Sequence, residues 1–514
     1  MTRMKRITAL LLALFLLSSC AAEKSAETGE TTAADTEITE PAPSPSAETP
    51  ETAPETEETV PEEIPLSSRN PEAAAENLAR AVEYGKNIRE KYWDSETGLS
   101  TLTPDGGTPH LWPFTEQVAM VNGILLAMAK SHEDRAYFEE YLTELLEGLR
   151  YYRIREARMS DGEHWNNEDH IMAAFGETDG TGNCYAIYSS SRNNMAIDRI
   201  RALTDAVYFD DNVWVAKEMY YAYVNLGDVR YLNEAINILN WIIGEGFEST
   251  EGLNGIYWKW SSKFQFAGGD YNDSNHASLN ACSTVPTAMM LAKVYQLTES
   301  MEEFAGLREN YLNKAEAIFR FSADVLLDSS SGCIMDKIFL KQGFETMTGS
   351  ARIHKTDGSR YAYNTGTFMT AAAELYTIAQ ADGRTDDAEF YRSLGERTAK
   401  SADREFADRT VQPGQYSYPS HSWFTSFLLE GFCDLTSCGI DASEYIGHMH
   451  SALDYAWLNH RAEDGLVSPS WIKGWSRFNN NDANSEDNPR QILLQSANAH
   501  CYAMLSRYLN GTAP

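Results

Sequence analysis

The chain of 514 residues is short of positive charge: 42 lysines and arginines stand against 75 aspartates and glutamates, for a formal charge of −33. No basic patch or nucleic-acid motif offsets that surface, so nucleic acid is excluded as a partner, while a neutral polymer such as a polysaccharide is compatible with it. Cysteine is scarce. Besides Cys20 there are only Cys184, Cys282, Cys333, Cys433, Cys438 and Cys501, with no CxxC and no Cys/His metal spacing, which removes zinc and redox roles. Cys282, Cys433 and Cys501 lie in apolar helical contexts and read as small core residues. Disulfides are permitted outside the cell, but their pairing is not written in the sequence. Also missing is any Pro/Ser-rich break within residues 69–514, so nothing divides that stretch into domains.

What is present begins with a basic head (Arg3, Lys5, Arg6) and an apolar run from Ile7 to Leu17, too short for a permanent membrane span. Residues 1–20 read as a secretion signal. Their end, Leu17-Ser-Ser-Cys20, resembles the lipobox of bacterial lipoproteins, in which the cysteine is acylated and becomes the new N-terminus. A signal peptide ending in a chance cysteine is the alternative. Residues 21–68 are almost entirely Ala, Glu, Thr, Pro and Ser, with thirteen acids against Lys24. Such a segment cannot bury enough apolar surface to offset the entropy of ordering, and is expected to be an extended, self-repelling linker. The expectation is an exported protein, tethered at the bacterial surface through Cys20 and monomeric. Once the −12 of the linker and the +3 of the signal are removed, −24 remains for residues 69–514.

Apolar residues at helical spacing mark runs at 71–92, 115–131, 134–155, 210–226, 228–244 and 278–298. They continue at 302–327, 364–381, 384–404, 421–438, 441–459 and 489–508. The twelve runs alternate in character. Those such as 134–155 and 384–404 are amphipathic and charged, as for a helix with one wet face; those such as 115–131, 278–298 and 364–381 carry few charges, as for a helix enclosed by others. Glycine-bearing turns follow most of the outer runs: Asp94-Ser-Glu-Thr-Gly98, Thr250-Glu-Gly252, Asp328-Ser-Ser-Ser-Gly332 and Glu463-Asp-Gly465. A unit repeating every 60–80 residues or so predicts an all-α (α/α)6 barrel of six helical hairpins. An open solenoid would have more uniform repeats and no long loops feeding one helix type.

Parallel inner helices gather their N-termini at one mouth. There stand Leu111-Trp-Pro-Phe-Thr-Glu116, Tyr208-Phe-Asp-Asp-Asn212, Asn275-His-Ala-Ser-Leu-Asn280, Tyr361-Ala-Tyr-Asn-Thr-Gly-Thr367, Ser420-His-Ser-Trp423 and Ser485-Glu-Asp-Asn488. Glycoside hydrolysis needs two carboxyl groups, about 5–5.5 Å apart for retention and about 6.5–9.5 Å for inversion. Asp210 and Asp211 can meet the shorter spacing, and two close acids split their pKa values as a nucleophile and an acid/base require. The plainer alternative is that Asp210 caps its helix and Asp211 favours the positive end. Trp112, Trp214, Trp258, Trp260, Trp423, Trp471 and Trp475 lie in or beside the mouth loops, where aromatic faces can stack on sugar C–H faces or simply fill the core.

Asp210-Asp211-Asn-Val-Trp214, followed by Ala222-Tyr-Val-Asn-Leu-Gly-Asp-Val-Arg-Tyr-Leu232 and Gly255-Ile-Tyr-Trp258, resembles glycoside hydrolase family 76. So do Asn275-His-Ala-Ser-Leu-Asn280 before a helix ending in Val294-Tyr-Gln-Leu-Thr298, and Tyr363-Asn-Thr-Gly-Thr-Phe368. The resemblance covers most of residues 110–400. It implies an (α/α)6-barrel endo-α-1,6-mannanase that cleaves α-mannan backbones with retention and needs no metal or other cofactor. It further implies Asp210 as nucleophile and Asp211 as general acid/base. Asp336, in Cys333-Ile-Met-Asp-Lys-Ile338, matches a substrate-contacting aspartate more loosely. Trp112, Asn212, Trp258, Trp260, Asn280, Asp336, Tyr363, Asn364 and Trp423 are the expected substrate contacts. The chain departs from the family pattern at Val213-Trp214-Val215, at Thr365, and in the long stretch from Arg158 to Arg201.

Two other readings stay open: another (α/α)6 glycosidase or a lyase, and a surface glycan-binding lipoprotein without turnover. A lyase usually needs cations to hold a uronate, and the acidic surface argues against that. Asp270-Tyr-Asn-Asp-Ser-Asn275 lacks the glycine and distal glutamate of an EF-hand loop. His164, Glu168 and His170 do not form the zinc-protease helix pattern.

Overall fold

In the computed structural model, the described residues are 69–153, 156–157, 187–191, 196–197, 207–260, 277–341, 349–478 and 488–511. The signal and lipid-anchor segment with Cys20, the linker, Cys184, His164, Glu168, His170, the 270–275 loop and residues 485–487 lie outside them. The described residues hold twelve α-helices: α1 (Pro71–Tyr92), α2 (Leu111–Ala127), α3 (Arg135–Leu149), α4 (Phe209–Leu226), α5 (Val229–Trp241) and α6 (Ala281–Leu297). The remainder are α7 (Ala305–Phe321), α8 (Ala362–Ala381), α9 (Thr385–Phe406), α10 (Ser422–Ser437), α11 (Ser443–Asn459) and α12 (Ile492–Asn510). None is long and apolar enough to cross a membrane.

Even-numbered helices form an inner ring. Each packs on the next, α2 on α4, α4 on α6 and so on to α12, which packs back on α2 and closes the barrel. The odd-numbered helices form the outer layer, each against an inner partner; α1 completes the sixth hairpin with α12. Composition sorts the two layers. Fourteen of the 17 residues of α2 are buried but only nine of the 22 in α9, because α9 needs one apolar stripe and α2 is enclosed all round. The expected turns after the outer helices are present. Gly98, Gly252, Gly332 and Gly465 all adopt positive φ, between 66° and 82°, which a residue with a Cβ takes up only with strain.

Helix α2 starts four residues earlier than its apolar period suggests. Pro113 stands in its first turn, where a missing N–H costs nothing, and the chain turns extended at Met128. Short strands decorate the mouth. β1 (Trp93–Asp94) pairs with β2 (Leu99–Ser100), and β3 (Glu156–Ala157) with β4 (Ala196–Ile197). The larger addition is an antiparallel sheet in which β5 (Ser278–Asn280) pairs with β6 (Met335–Leu340), and β6 with β7 (Ile353–Arg360). Because β5 runs straight into α6, the pairing of Asn280 with Lys337 brings β6 to the first turn of that inner helix.

Candidate active site

Helix α4 begins with Tyr208 as its cap residue, extended at φ −111° and ψ 136° and with no side-chain cap. Asp210 and Asp211 therefore lie inside the first turn, and neither is the cap. Asp210 Oδ1 accepts the Asp211 N–H at 3.0 Å, and its Oδ2 accepts the indole Nε1–H of Trp258 at 3.1 Å. Trp258 is placed by backbone pairing: Phe209 N–H donates to its carbonyl at 2.9 Å and Trp260 N–H to Val207 O at 3.1 Å.

These contacts separate two chemically identical side chains. Burial pushes the Asp210 carboxyl up to about 6, against a pull downward by hydrogen bonds from the Cys282 thiol, the Asp211 N–H and Trp258. Asp211 is pushed well above the usual carboxylate range by burial and by the neighbouring Asp210 charge. The pair thus favours one proton shared between two acids, held on Asp211.

Asp336 on β6 is buried, with Lys337 Nζ 2.9 Å from its Oδ2; burial raises its carboxyl while Lys337 opposes the rise. Tyr363, in the first turn of α8, sits in the fields of Cys282, Asp336 and Asp210. One aromatic wall joins Tyr363 to Trp423 (ring centroids 5.2 Å apart), Trp423 to Trp112 (4.8 Å) and Trp423 to Trp214 (5.8 Å). Trp258, with 37% of its surface exposed, offers an open ring face beside Asp210. Asn364 is 1% exposed, and neither its amide nitrogen nor its oxygen meets a protein partner. Buried polar groups in that state suit a ligand's hydroxyls. Asn280 caps the approach to α6, its Oδ1 accepting from Ser278 Oγ at 2.7 Å.

Two expected substrate contacts turn elsewhere. Asn212 is fully buried, and its amide clamps backbone: Oδ1 accepts Tyr188 N–H at 2.8 Å, while Nδ2 donates to Tyr188 O at 3.0 Å and Tyr208 O at 2.8 Å. It ties residues 187–191 to the helix that carries the acids. Trp260 is buried against Trp241 of the outer helix α5, at 6.4 Å, and serves the core. Conversely, Cys282 and Lys337 stand in the cluster although sequence gave no reason to pick them. Cys282 looked like core filling, and it is buried; its neighbour is Asp210. His421 packs flat on Phe424 at 4.1 Å, and burial lowers its imidazole to about 4, so it is neutral. Among the described residues, no group of three or more His, Cys, Asp or Glu is arranged to hold a metal.

A family model described as Glycosyl hydrolase family 76 matches residues 186–457, a span holding every residue of this cluster except Trp112. A family 76 glycoside hydrolase (mannosidase) of Bacteroides thetaiotaomicron VPI-5482 superposes with a TM-score of 0.61 at 20% identity, covering 84% of this chain and 98% of that one. A family 76 enzyme from a bovine Bacteroides thetaiotaomicron strain gives 0.61 at 18% identity, over 84% and 77% of the two chains. An inactive variant of the α-1,6-mannanase of Salegentibacter sp. HEL1_6, with two adjacent aspartates changed to asparagine and α-1,6-mannotriose bound, gives 0.54 at 16% identity over 85% and 99%. At such identities the likeness is one of fold. By sequence, the chain is 25% identical over 234 residues to the meiotically up-regulated gene 191 protein of Schizosaccharomyces pombe, spanning 47% of that protein's length.

Proposed function

Since this chain belongs to glycosyl hydrolase family 76, we propose that it is a glycoside hydrolase acting within the α-1,6-linked backbone of α-mannan, with retention at the cleaved carbon. The observation that carries this reading is the split environment of Asp210 and Asp211. Asp211 holds a proton for the glycosidic oxygen. Asp210, held by the Asp211 N–H and the Trp258 indole, stays anionic and attacks the anomeric carbon as the leaving chain departs, forming a covalent glycosyl-enzyme. Asp211, now a carboxylate, takes a proton from water; that water attacks the same carbon and frees Asp210. Trp258, the exposed aromatic beside Asp210, supplies a face for a pyranose ring, and the amide of Asn364 supplies hydrogen bonds to hydroxyls. Superposition on a mannosidase and on a mannanase holding a mannotriose supports mannose as the sugar. Export and acylation at Cys20 belong to the same proposal, placing the released oligosaccharides outside the cell near the membrane.

Incubating the full chain with debranched α-1,6-mannan tests the reading. The expected products are oligosaccharides of several lengths, each released first as the α anomer by proton NMR. Asp211→Asn is expected to lower kcat by about 10²–10⁴-fold, and Asp210→Asn to abolish the covalent route. Monosaccharide alone would overturn the endo assignment, the β anomer would overturn retention, and no cleavage would overturn the substrate.

A further inference from the structure

The two acids of α4 are held in different ways. Asp210 is bonded through its side chain, by the Asp211 N–H and the Trp258 indole. Among the described residues, none donates a hydrogen bond to the Asp211 carboxyl. The attitude of Asp211 is therefore set by its backbone, and by whatever fixes the backbone beside it.

The next residue does so. Asn212 is fully buried and pairs with both main-chain groups of Tyr188, accepting its N–H at 2.8 Å and donating to its carbonyl at 3.0 Å. The second amide hydrogen goes to Tyr208 O at 2.8 Å, across the first turn of α4. One side chain thus pins the turn and joins it to another segment. Only an amide offers an acceptor and two donors on so short a stem. Aspartate would set an oxygen against two carbonyls, and leucine would leave the buried main-chain groups of Tyr188 without this partner. Residues 187–191 are themselves firmly held, independently of α4. Leu111 N–H, at the start of α2, donates to Ser190 O at 2.9 Å, and Ser189 N–H donates to Tyr152 O at 2.8 Å. The Tyr188 hydroxyl donates to Glu234 of the outer helix α5, which Arg153 also binds.

We propose that Asn212 is a positioning residue for Asp211: it sets the first turn of α4 against residues 187–191, so that the unbonded carboxyl is aimed at the glycosidic oxygen. This rests on the reading of Asp211 as general acid/base. It goes further by giving the two acids separate anchors, Trp258 for Asp210 and Asn212 for Asp211. A carboxyl that gives up a proton and then takes one from water works best with no permanent hydrogen-bond partner, which would favour one of its two states. Its aim must then come from the main chain, and a displacement of about 1 Å can cost about 10²-fold in rate.

The test compares the full-length parent with Asn212→Ala and Asn212→Ser on two substrates. On debranched α-1,6-mannan the leaving sugar needs a proton. On the dinitrophenyl glycoside of α-1,6-mannobiose the leaving group departs without one, so kcat/KM reports attack by Asp210 alone. In Asn212→Ala, kcat/KM is expected to fall by about 10–10²-fold on mannan and by no more than about threefold on the dinitrophenyl glycoside. Asn212→Ser keeps a hydroxyl that can turn back to Tyr208 O but does not reach Tyr188, and is expected to show the same split. An equal loss on both substrates means a merely structural role and overturns the proposal, as does no loss on either. A second readout needs no turnover. In a crystal structure of Asn212→Ser, the Asp211 carboxyl is expected to shift or divide between rotamers while the Asp210–Trp258 bond persists. An Asp211 that stays in place overturns the anchor whatever the substrate. A parent that cleaves neither substrate, with Asp211 displaced in the variant, overturns the mannan reading and leaves the anchor standing.

Discussion

Asp210 and Asp211 make the native state less stable than it would be with neutral residues in their places. In the unfolded chain both titrate near 3.9. In the folded chain Asp210 keeps its proton to about 6, and Asp211 keeps its own to well above the normal range. A folded pKa raised in this way means stability is greatest below about pH 4 and falls as pH climbs through 6 and beyond, because the fold must then hold charges that burial disfavours. Asp210→Asn is therefore expected to be more stable than the parent by roughly 1–3 kcal/mol at pH 8, and no more stable at pH 4. Urea unfolding at the two pH values checks this, and a variant weaker than the parent at pH 8 would contradict it. Buried polarity of this kind, where a site requires it, is commonly held at the expense of stability. The same scale shows where sequence runs out. The acid pair, Trp258, Tyr363 and Asn364 were legible as a set because their residue types suit sugar chemistry and they cluster before inner helices, whereas Asp336 was singled out only through the family resemblance. Nothing in the local pattern separates Trp258 from Trp260, or Asn364 from Asn212. Those pairs differ in what lies opposite each side chain, and for Cys282 the helical period gives its burial but not its neighbour.

At the scale of elements, the inner ring depends on places where helices meet backbone to backbone. A Cβ on Gly431 of α10 would lie 2.4 Å from Gly366 O, and one on Gly366 of α8 would lie 2.2 Å from Phe427 O. Neither contact can be relieved by turning a side chain, so the helices must part. Gly431→Ala is expected to cost about 1–3 kcal/mol or somewhat more. Gly447, inside the outer helix α11, meets nothing within 4 Å of a built Cβ, and Gly447→Ala is expected to gain up to about 1 kcal/mol. Thermal unfolding of both variants tests the contrast; equal effects would place the close crossing elsewhere. Helices like these were readable because period and burial agree: charge on one face for outer members, almost none for inner ones. Strand β7 was not readable. Its residues Ile353–Arg360 are mostly exposed and polar, so no alternation of apolar and polar residues announces a strand, although its partner β6 delivers Asp336 and Lys337.

At the scale of the barrel, the acids form the top of a stack along its axis. Asp211, Trp214 and Glu218 follow one another at helical spacing on α4, and Trp214, Trp423 and Phe427 pack together as a floor beneath the carboxylates. Under the floor Lys217 Nζ, from α4, lies 2.8 Å from Glu430 Oε2 on α10, the helix directly across the ring. Around this strut is a cavity of about 40 Å³ lined by Asn122, Glu218, Asp434 and His500 among others, room for a few waters at most. Side chains thus fill most of the barrel at mid-height. Burial acts to lower the Lys217 pKa, but Glu430 and Glu218 outweigh it and keep the ammonium charged. Glu218, raised by burial to about 7, can neutralise itself by taking a proton. Glu430 is instead held below the ordinary glutamate range: burial favours its neutral form, but Lys217 prevails. Removing the cation alone strands that carboxylate, and Lys217→Met is expected to cost about 3–5 kcal/mol, whereas Lys217→Met with Glu430→Leu should recover most of it. Denaturant unfolding of the single and double variants decides the matter: a double variant no more stable than the single would mean that the two side chains are not one strut across the axis.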